Sequence, residues 1–81
     1  MERVSGRNDA DAHLKALGRS IRARREILEI SQESLAHLAQ IDRSHMGKIE
    51  RGERNVTLLN LVKIAGALAC KPSDLLQSAG L

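Results

Sequence analysis

Polar side chains that could contact nucleic acid recur at helical spacing between residues 43 and 48. Arg43 can donate two hydrogen bonds to guanine O6 and N7, and Ser44 can contact either a base edge or a phosphate. Lys48 lies one turn further on, where it could read guanine or hold a phosphate, and Gly47 has no side chain to keep DNA at a distance. If these residues form one exposed helix, their chemistry is that of base contact in the major groove.

Two short helices joined by a tight corner are predicted to position these side chains. Ser31 can cap the first helix, and Asp42 can cap the second, which would contain the polar residues above. Only Gln40 and Ile41 separate the two helices, so they must cross steeply, and the small Ala36 would let their backbones approach. Such a corner holds the second helix away from the body of a domain, so that its start can enter a major groove.

Further polar residues flank this second helix. Gln32 begins the first helix of this pair, where backbone N–H groups favour a phosphate. After the second helix the chain continues with residues that we expect to hold the DNA backbone, Arg54 through the minor groove: Arg51, Arg54, Asn55 and Thr57. Contacts of this kind set binding register and salt dependence more than sequence choice.

The composition favours one small all-α domain. The 81 residues are 42% apolar and include no aromatic side chain, so the core must be built from aliphatic residues and methionine. Gly and Pro are few, at six and one, and period-2 apolar patterns are absent. We predict a flexible N-terminal arm at residues 1–12 and a domain at residues 13–81. Helices are expected at about residues 11–28, 32–39, 43–51 and 58–69 and from residue 72 onward. The fourth of these helices is apolar around most of its circumference, so we expect it to lie at the centre of the core.

Charge and reactive residue types narrow the class of protein. The formal net charge of +3 and the pI of about 9.6 permit nucleic acid as a partner. The histidines and the single cysteine, Cys70, lack the spacing of a metal site, and neither a Gly-rich phosphate loop nor a supported Ser–His–acid set occurs. We therefore expect no catalysis, no metal and no cofactor. One cysteine fits a reducing compartment, and no apolar run approaches membrane-spanning length, so we expect a cytoplasmic protein without a membrane partner.

The run from about Leu17 to Leu76 resembles the phage-repressor or Cro-like (XRE-type) helix-turn-helix domain. The residues that support this likeness are Ile21–Arg22, Arg25, Ser31–Gln32, Leu35–Ala36, Ile49–Gly52, Leu61, Ile64–Ala65, Ala67–Leu68 and Pro72–Leu76. The resemblance implies a compact five-helix lambda-repressor-like fold that binds double-stranded DNA, with Gln32 on a phosphate. The stretches Asp42–Ser44 and Glu50–Leu58 are similar to the controller proteins of bacterial restriction–modification systems, which implies regulation of the chain's own promoter and of a neighbouring nuclease gene.

The same resemblance implies an internal ion pair between Arg25 and Glu50 that orients the recognition helix. Removing one partner would cost about 3–5 kcal/mol if the pair is buried, and little if it is exposed. The chain departs from the family pattern at Glu29 and Gln40, where glycine is usual. If the backbone at such a position is left-handed, a residue other than glycine lowers stability by about 1 kcal/mol. Lys71 occupies the cap position of the fifth helix, where serine or aspartate is usual. Because lysine has no side-chain acceptor, we expect this helix to lose ~1 kcal/mol of capping stabilisation.

One recognition helix contacts only a few base pairs, which is too little for useful specificity. We therefore predict a homodimer on a palindromic operator, with a small apolar seam formed by Leu75, Leu76 and Leu81. RNA polymerase is a further expected partner. The alternative is a protein-interaction module that kept the fold, such as an antitoxin or an adaptor, whose basic face meets an acidic protein. That alternative predicts that Arg43→Ala leaves the essential binding intact, whereas changes to the apolar surface of the fifth helix abolish it.

Overall fold

The computed structural model describes Asp9 and residues 12–81, and this part of the chain forms five α-helices. They are α1 (His13–Ile27), α2 (Gln32–Ala39), α3 (Arg43–Glu50), α4 (Leu58–Ala67) and α5 (Pro72–Ser78). No strand occurs among the described residues. The prediction of an all-α, five-helix domain is confirmed, and each helix begins and ends within two residues of its expected bounds.

One apolar core lies between the helices. Its fully buried side chains come from all five elements: Ile21, Leu35, Met46, Ile49, Ile64, Leu68 and Leu75. Burial of each of these side chains contributes about 1.5–3 kcal/mol to stability. Because α2 packs on both α3 and α4, and α1 packs on both α3 and α5, the core covers only the inner sides of α2 and α3. Their outer sides remain in solvent.

α4 differs from its prediction in both its extent and its burial. The helix ends at Ala67, because Ala69 takes a left-handed backbone conformation that stops it. Leu58, Leu59 and Val62 remain 71%, 72% and 48% exposed, so the helix predicted to be central to the core contributes only its inner side to that core. These three residues form an outward apolar surface, here called the α4 face. The neighbouring helices cover only the opposite side of α4.

Side-chain caps begin three of the helices, and two of these caps, Ser31 and Asp42, are those predicted above. Ser31, Asp42 and Thr57 each accept a hydrogen bond from a backbone N–H in the first turn of α2, α3 and α4, at 3.0, 3.1 and 3.1 Å. Lys71 begins α5 without an acceptor of its own, but the Asp74 carboxylate accepts from the Lys71 backbone N–H at 2.9 Å. This bond keeps half of a capping box and offsets part of the predicted loss.

The predicted N-terminal arm, residues 1–12, lies outside the described residues except for Asp9 and Ala12. The Asp9 carboxylate accepts hydrogen bonds from the backbone N–H groups of His13 and Leu14 at 2.8 and 2.6 Å. These two bonds satisfy donors that the first turn of a helix leaves unpaired. Asp9 is therefore the residue that caps α1 from within the segment predicted as an arm.

Left-handed residues follow several helices. Glu29, Gln40 and Ala69 have φ values of 57°, 56° and 54°, in a region that glycine occupies at no steric cost. The residue after Gln40, Ile41, donates its N–H to the Ala36 carbonyl at 2.9 Å, which closes the end of α2. The backbone at Gln40 and Glu29 is thus left-handed, so the cost given above for that case applies, about 1 kcal/mol for each residue relative to an unstrained one.

Substituting Gln40→Gly should stabilise the domain, because it relieves the strain at φ 56°. We expect a gain of about 1 kcal/mol in the free energy of unfolding, less a small entropic loss from the added chain freedom. Urea denaturation measures it. Gln40→Ala is the matched control, since it removes the same exposed side chain but keeps the Cβ. An equal gain in both variants would contradict the strain account.

Candidate nucleic-acid interface

Two glycines let α1 lie directly against the end of α3. A Cβ added to Gly18 would overlap the Glu50 carbonyl oxygen and lie 2.7 Å from the Ile49 carbonyl oxygen. A Cβ on Gly52, which has a φ of +73°, would lie 2.7 Å from the Lys15 Cα. Gly18 was missed by sequence reasoning. The sequence did contain a signal, because Gly18 is an isolated glycine inside a helical pattern. A glycine there lowers helix stability by about 1 kcal/mol relative to alanine, so its presence indicates close packing against another part of the chain.

A buried ion pair joins the same two helices. Arg25 Nε lies 2.8 Å from Glu50 Oε2, and Arg25 Nη2 lies 2.9 Å from Glu50 Oε1. Their side chains are 13% and 3% exposed, so this is the buried form of the pair that the family resemblance implied. Arg25 Nη1 also donates to the Ile30 carbonyl at 3.1 Å. Hydrogen bonding to the Glu50 carboxylate raises the pKa of the Arg25 guanidinium, against the opposite effect of burial.

Gln32 links this ion pair to the outer surface. Its Nε2 donates to Glu50 Oε1 at 3.2 Å, which fixes the carboxamide at the start of α2. A Cβ on Gly47 would lie 3.3 Å from Gln32 Oε1 and 3.1 Å from Arg51 Nη1. Gly47 is therefore buried under the ends of these two side chains in the free protein, and close approach of DNA at this position stays a prediction.

The structure brings most of the predicted DNA-contacting residues onto two adjoining concave surfaces. The first is lined by Gln32, Asp42, Arg43, Ser44, Gly47, Lys48 and Arg51. The second is lined by Gln40, Ile41, Asp42, Ser44, His45, Lys48, Arg54 and Asn60. Sequence reasoning did not assign Asp42, His45 or Asn60 to this surface. The one signal for Asn60 was a polar residue in a helix that is otherwise almost entirely apolar.

Asn55 and Thr57 lie outside both concave surfaces, although both are exposed. The Thr57 hydroxyl accepts from the Asn60 N–H as the cap of α4, and its own proton remains available to a phosphate oxygen. Their contact with the DNA backbone stays a prediction.

The basic groups of this interface are mostly free of internal partners. Arg43, Lys48 and Arg54 form no ion pair with any described residue. Arg51 instead pairs with Glu53, with Nε 3.0 Å from Oε2, and both side chains are exposed. The Arg51 guanidinium lowers the pKa of the Glu53 carboxyl, although its slight desolvation acts in the opposite direction. The positive charge available to an anion is therefore concentrated on and just after α3.

Other kinds of site find little support in the described residues. No three His, Cys, Asp or Glu side chains among them lie close enough together to hold a metal ion. Burial raises the pKa of the Cys70 thiol, which lowers its nucleophilic fraction at neutral pH. None of the helices of the described chain is both long and apolar enough to cross a bilayer.

These features define a class of protein. α3 is a short helix that packs through its buried side and exposes basic and polar residues at its start. A capped helix, α2, precedes it across a tight turn. This is the arrangement of a helix-turn-helix DNA-binding domain. A family model described as Helix-turn-helix matches residues 21–75. The chain belongs to this helix-turn-helix family and is a DNA-binding transcriptional regulator.

Similar proteins include several regulators of one kind. The chain is 42% identical over 65 residues to the control protein C.SmaI from Serratia marcescens, covering 80% of this chain and 77% of that protein. It is 44% identical over 52 residues to the control protein C.MunI from a Mycoplasma species, covering 64% and 70%. The crystal structure of the restriction-modification controller protein C.AhdI from Aeromonas hydrophila matches with a TM-score of 0.78 and 45% identity, covering 79% of this chain and 97% of that one.

Breaking the buried ion pair should destabilise the domain strongly. We expect Arg25→Ala to cost about 3–5 kcal/mol in the free energy of unfolding, because it leaves the Glu50 carboxylate buried without its counter-charge. Urea denaturation of the purified variant measures the loss. The control is Arg22→Ala, which breaks an ion pair with Glu26 on the exposed side of the same helix and should cost less than about 0.5 kcal/mol. Similar losses in both variants would contradict the structural role of the buried pair.

Proposed function

We propose that this protein binds a palindromic DNA operator as a homodimer and controls transcription of a restriction–modification gene pair, including its own promoter. It acts in the cytoplasm and catalyses no reaction. The observation that supports this proposal best is the concave surface around α3, where Arg43 and Lys48 lie unpaired beside Gln32 and Ser44. The similarity to restriction–modification control proteins supports the choice of regulated genes.

The proposed contacts divide into two kinds. Arg43 stands at the first position of α3, where its guanidinium can reach guanine in the major groove. Lys48, one turn later, reads a base or neutralises a phosphate. Arg54 and the N-terminus of α2 at Gln32 hold the backbone on either side of α3, which fixes the angle at which the helix enters the groove.

We propose that dimerisation uses a surface other than the predicted seam. Leu75 is 2% exposed and packs in the core, so it is not available to a second copy, and that part of the predicted seam is wrong. Leu76 is half-buried, and Leu81 is exposed. The α4 face offers a larger apolar surface, and its start follows the recognition helix after a short loop. A two-fold contact there sets the distance between the two recognition helices, as a palindromic site requires.

RNA polymerase is the further partner that we propose for this regulator. The end of α1 exposes Ile27 and Leu28 beside the carboxylate of Glu29, an apolar and acidic surface outside the basic interface. In transcription assays on the regulated promoter, Ile27→Ser should remove the polymerase-dependent effect of the protein on transcript level while operator affinity stays unchanged. An unchanged effect on transcript level would reject this surface as the polymerase contact.

Selection of bound duplexes from a random pool tests sequence-specific binding. We expect a two-fold symmetric consensus, with the preference at one position per half-site lost in Arg43→Ala, because its guanidinium contact there is worth about 1–3 kcal/mol. Affinity across a salt series then counts the phosphate contacts. Recovery of no consensus, with weak binding that disappears at moderate salt, would reject the operator proposal and favour a protein-interaction module. A genomic locus without methyltransferase and endonuclease genes would reject the choice of regulated genes.

The α4 face can be tested by charge insertion. We expect Val62→Asp to shift the protein from dimer to monomer in sedimentation equilibrium at micromolar concentration, because it places a carboxylate in an apolar contact. Leu38→Asp, which adds the same charge to an exposed leucine of α2, should leave the dimer intact. A dimer that persists in Val62→Asp, or a wild-type protein that stays monomeric even with operator DNA, would contradict this interface.

A further inference from the structure

Ser44 lies at the centre of the interface, and the direction in which its hydroxyl donates decides what it can recognise. A hydroxyl has one proton to donate and two lone pairs to accept with. In the structure Ser44 Oγ donates its proton to Asp42 Oδ2, and the same carboxylate oxygen accepts from the Ser44 backbone N–H at 3.1 Å. The hydroxyl proton is thus used inside the protein, by the residue that caps α3.

The Asp42 carboxylate remains an acceptor under ordinary conditions. The hydrogen bond from the Ser44 hydroxyl, together with the backbone N–H groups of His45 and Ser44, lowers the pKa of the Asp42 carboxyl. A group with a lowered pKa is ionised at neutral pH and has no proton to give. Both side chains are exposed, and both line the two concave surfaces of the interface. Toward DNA, Asp42 and Ser44 therefore present only lone pairs.

Base edges in the major groove differ in what they offer to such a pair. Cytosine N4 and adenine N6 carry amino groups that donate, whereas guanine O6 and N7 and thymine O4 only accept. A phosphate oxygen also only accepts, and its charge is repelled by the Asp42 carboxylate. We propose that Asp42 and Ser44 act together as an acceptor pair that selects an exocyclic amino group, on cytosine or adenine, next to the guanine read by Arg43. This inference rests on the proposed operator binding and narrows the base class at one position.

The geometry also separates the roles of neighbouring residues. Arg43 has donors only, and the Asp42–Ser44 pair has acceptors only, so adjacent positions on α3 read opposite patterns. A single G·C base pair can satisfy both, since guanine accepts from Arg43 while its partner cytosine donates to Ser44. Adjacent base pairs can satisfy them equally well. In either case guanine or thymine facing Ser44 leaves two acceptors opposed, which disfavours binding.

The test uses the full chain and the consensus duplex obtained by selection. At each cytosine or adenine of the half-site, the base is replaced by its analogue without the amino group, 2-pyrimidinone for cytosine or purine for adenine. Fluorescence anisotropy at one fixed salt concentration gives the affinities. We expect one position at which this deletion weakens wild-type binding about tenfold. In Ser44→Ala the same deletion should weaken binding clearly less than it does in the wild type, because one of the two acceptors is already absent.

Two variants control for folding and for general effects of substitution. Asp42→Asn keeps a good N-cap, so α3 remains capped, but its amide group can donate to Ser44 and release the hydroxyl proton. It should bind duplexes with guanine or thymine at this position, which the wild type rejects. Ser73→Ala, at an exposed serine of α5, should behave as the wild type.

Two outcomes would overturn the inference while leaving operator binding intact. One is a position sensitive to Ser44→Ala that requires guanine or thymine. The other is an amino-group deletion that weakens Ser44→Ala as much as the wild type. Failure to select any consensus is a separate result, since it rejects the proposed operator binding itself and the inference with it.

Discussion

The contact between α1 and the end of α3 is the constraint on which the interface depends. Gly18 removes the side chain that would separate the two backbones, and the Arg25–Glu50 pair joins the helices through two hydrogen bonds of 2.8 and 2.9 Å. A buried pair of this kind is not a large net source of stability, because desolvation offsets most of its attraction. Its contribution is orientation, since neither charge can leave its partner without a large cost. α3 is therefore held at one angle to the body.

The same ion pair also fixes the position of α2. Glu50 accepts from Gln32 as well as from Arg25, so the residue that begins α2 is fixed by the same carboxylate that ends α3. The two helices of the DNA-binding motif thus share one buried anchor in addition to their apolar packing. Met46 and Ile49 close the inner side of α3, and every polar side chain at its start is left on the outer side. Recognition chemistry is concentrated there because nothing else of α3 is exposed.

Local features of the fold could be predicted from the sequence. Ser31, Asp42 and Thr57 were predictable caps because a cap bond spans two or three residues and needs no distant partner. The left-handed turns at Glu29 and Gln40 were predictable from the helix ends around them. The polar residues of α3 were predictable as one exposed set, since helical spacing together with a buried opposite side determines which residues share a face.

Features that depend on distant parts of the chain could not be predicted in this way. The leucines of α4 have the same apolar character whether they turn inward or outward, and only the placement of α2 and α5 leaves Leu58 and Leu59 exposed. Leu75 was misplaced for the same reason, since the pattern of α5 alone does not show which leucine meets the core. Gly47 is covered in part by Gln32 of α2, a contact between separate helices that no local spacing reveals.

The crystal structure of the protein bound to its selected operator tests the central claim most directly. The account predicts two copies related by a two-fold axis, each with the start of α3 in a major groove and with Arg43 and Ser44 within hydrogen-bond distance of base edges. It also predicts that the Arg25–Glu50 pair and the angle between α1 and α3 are the same as in the free protein. A complex in which DNA lies on another face of the domain, or in which α3 separates from α1 to reach the groove, would contradict it.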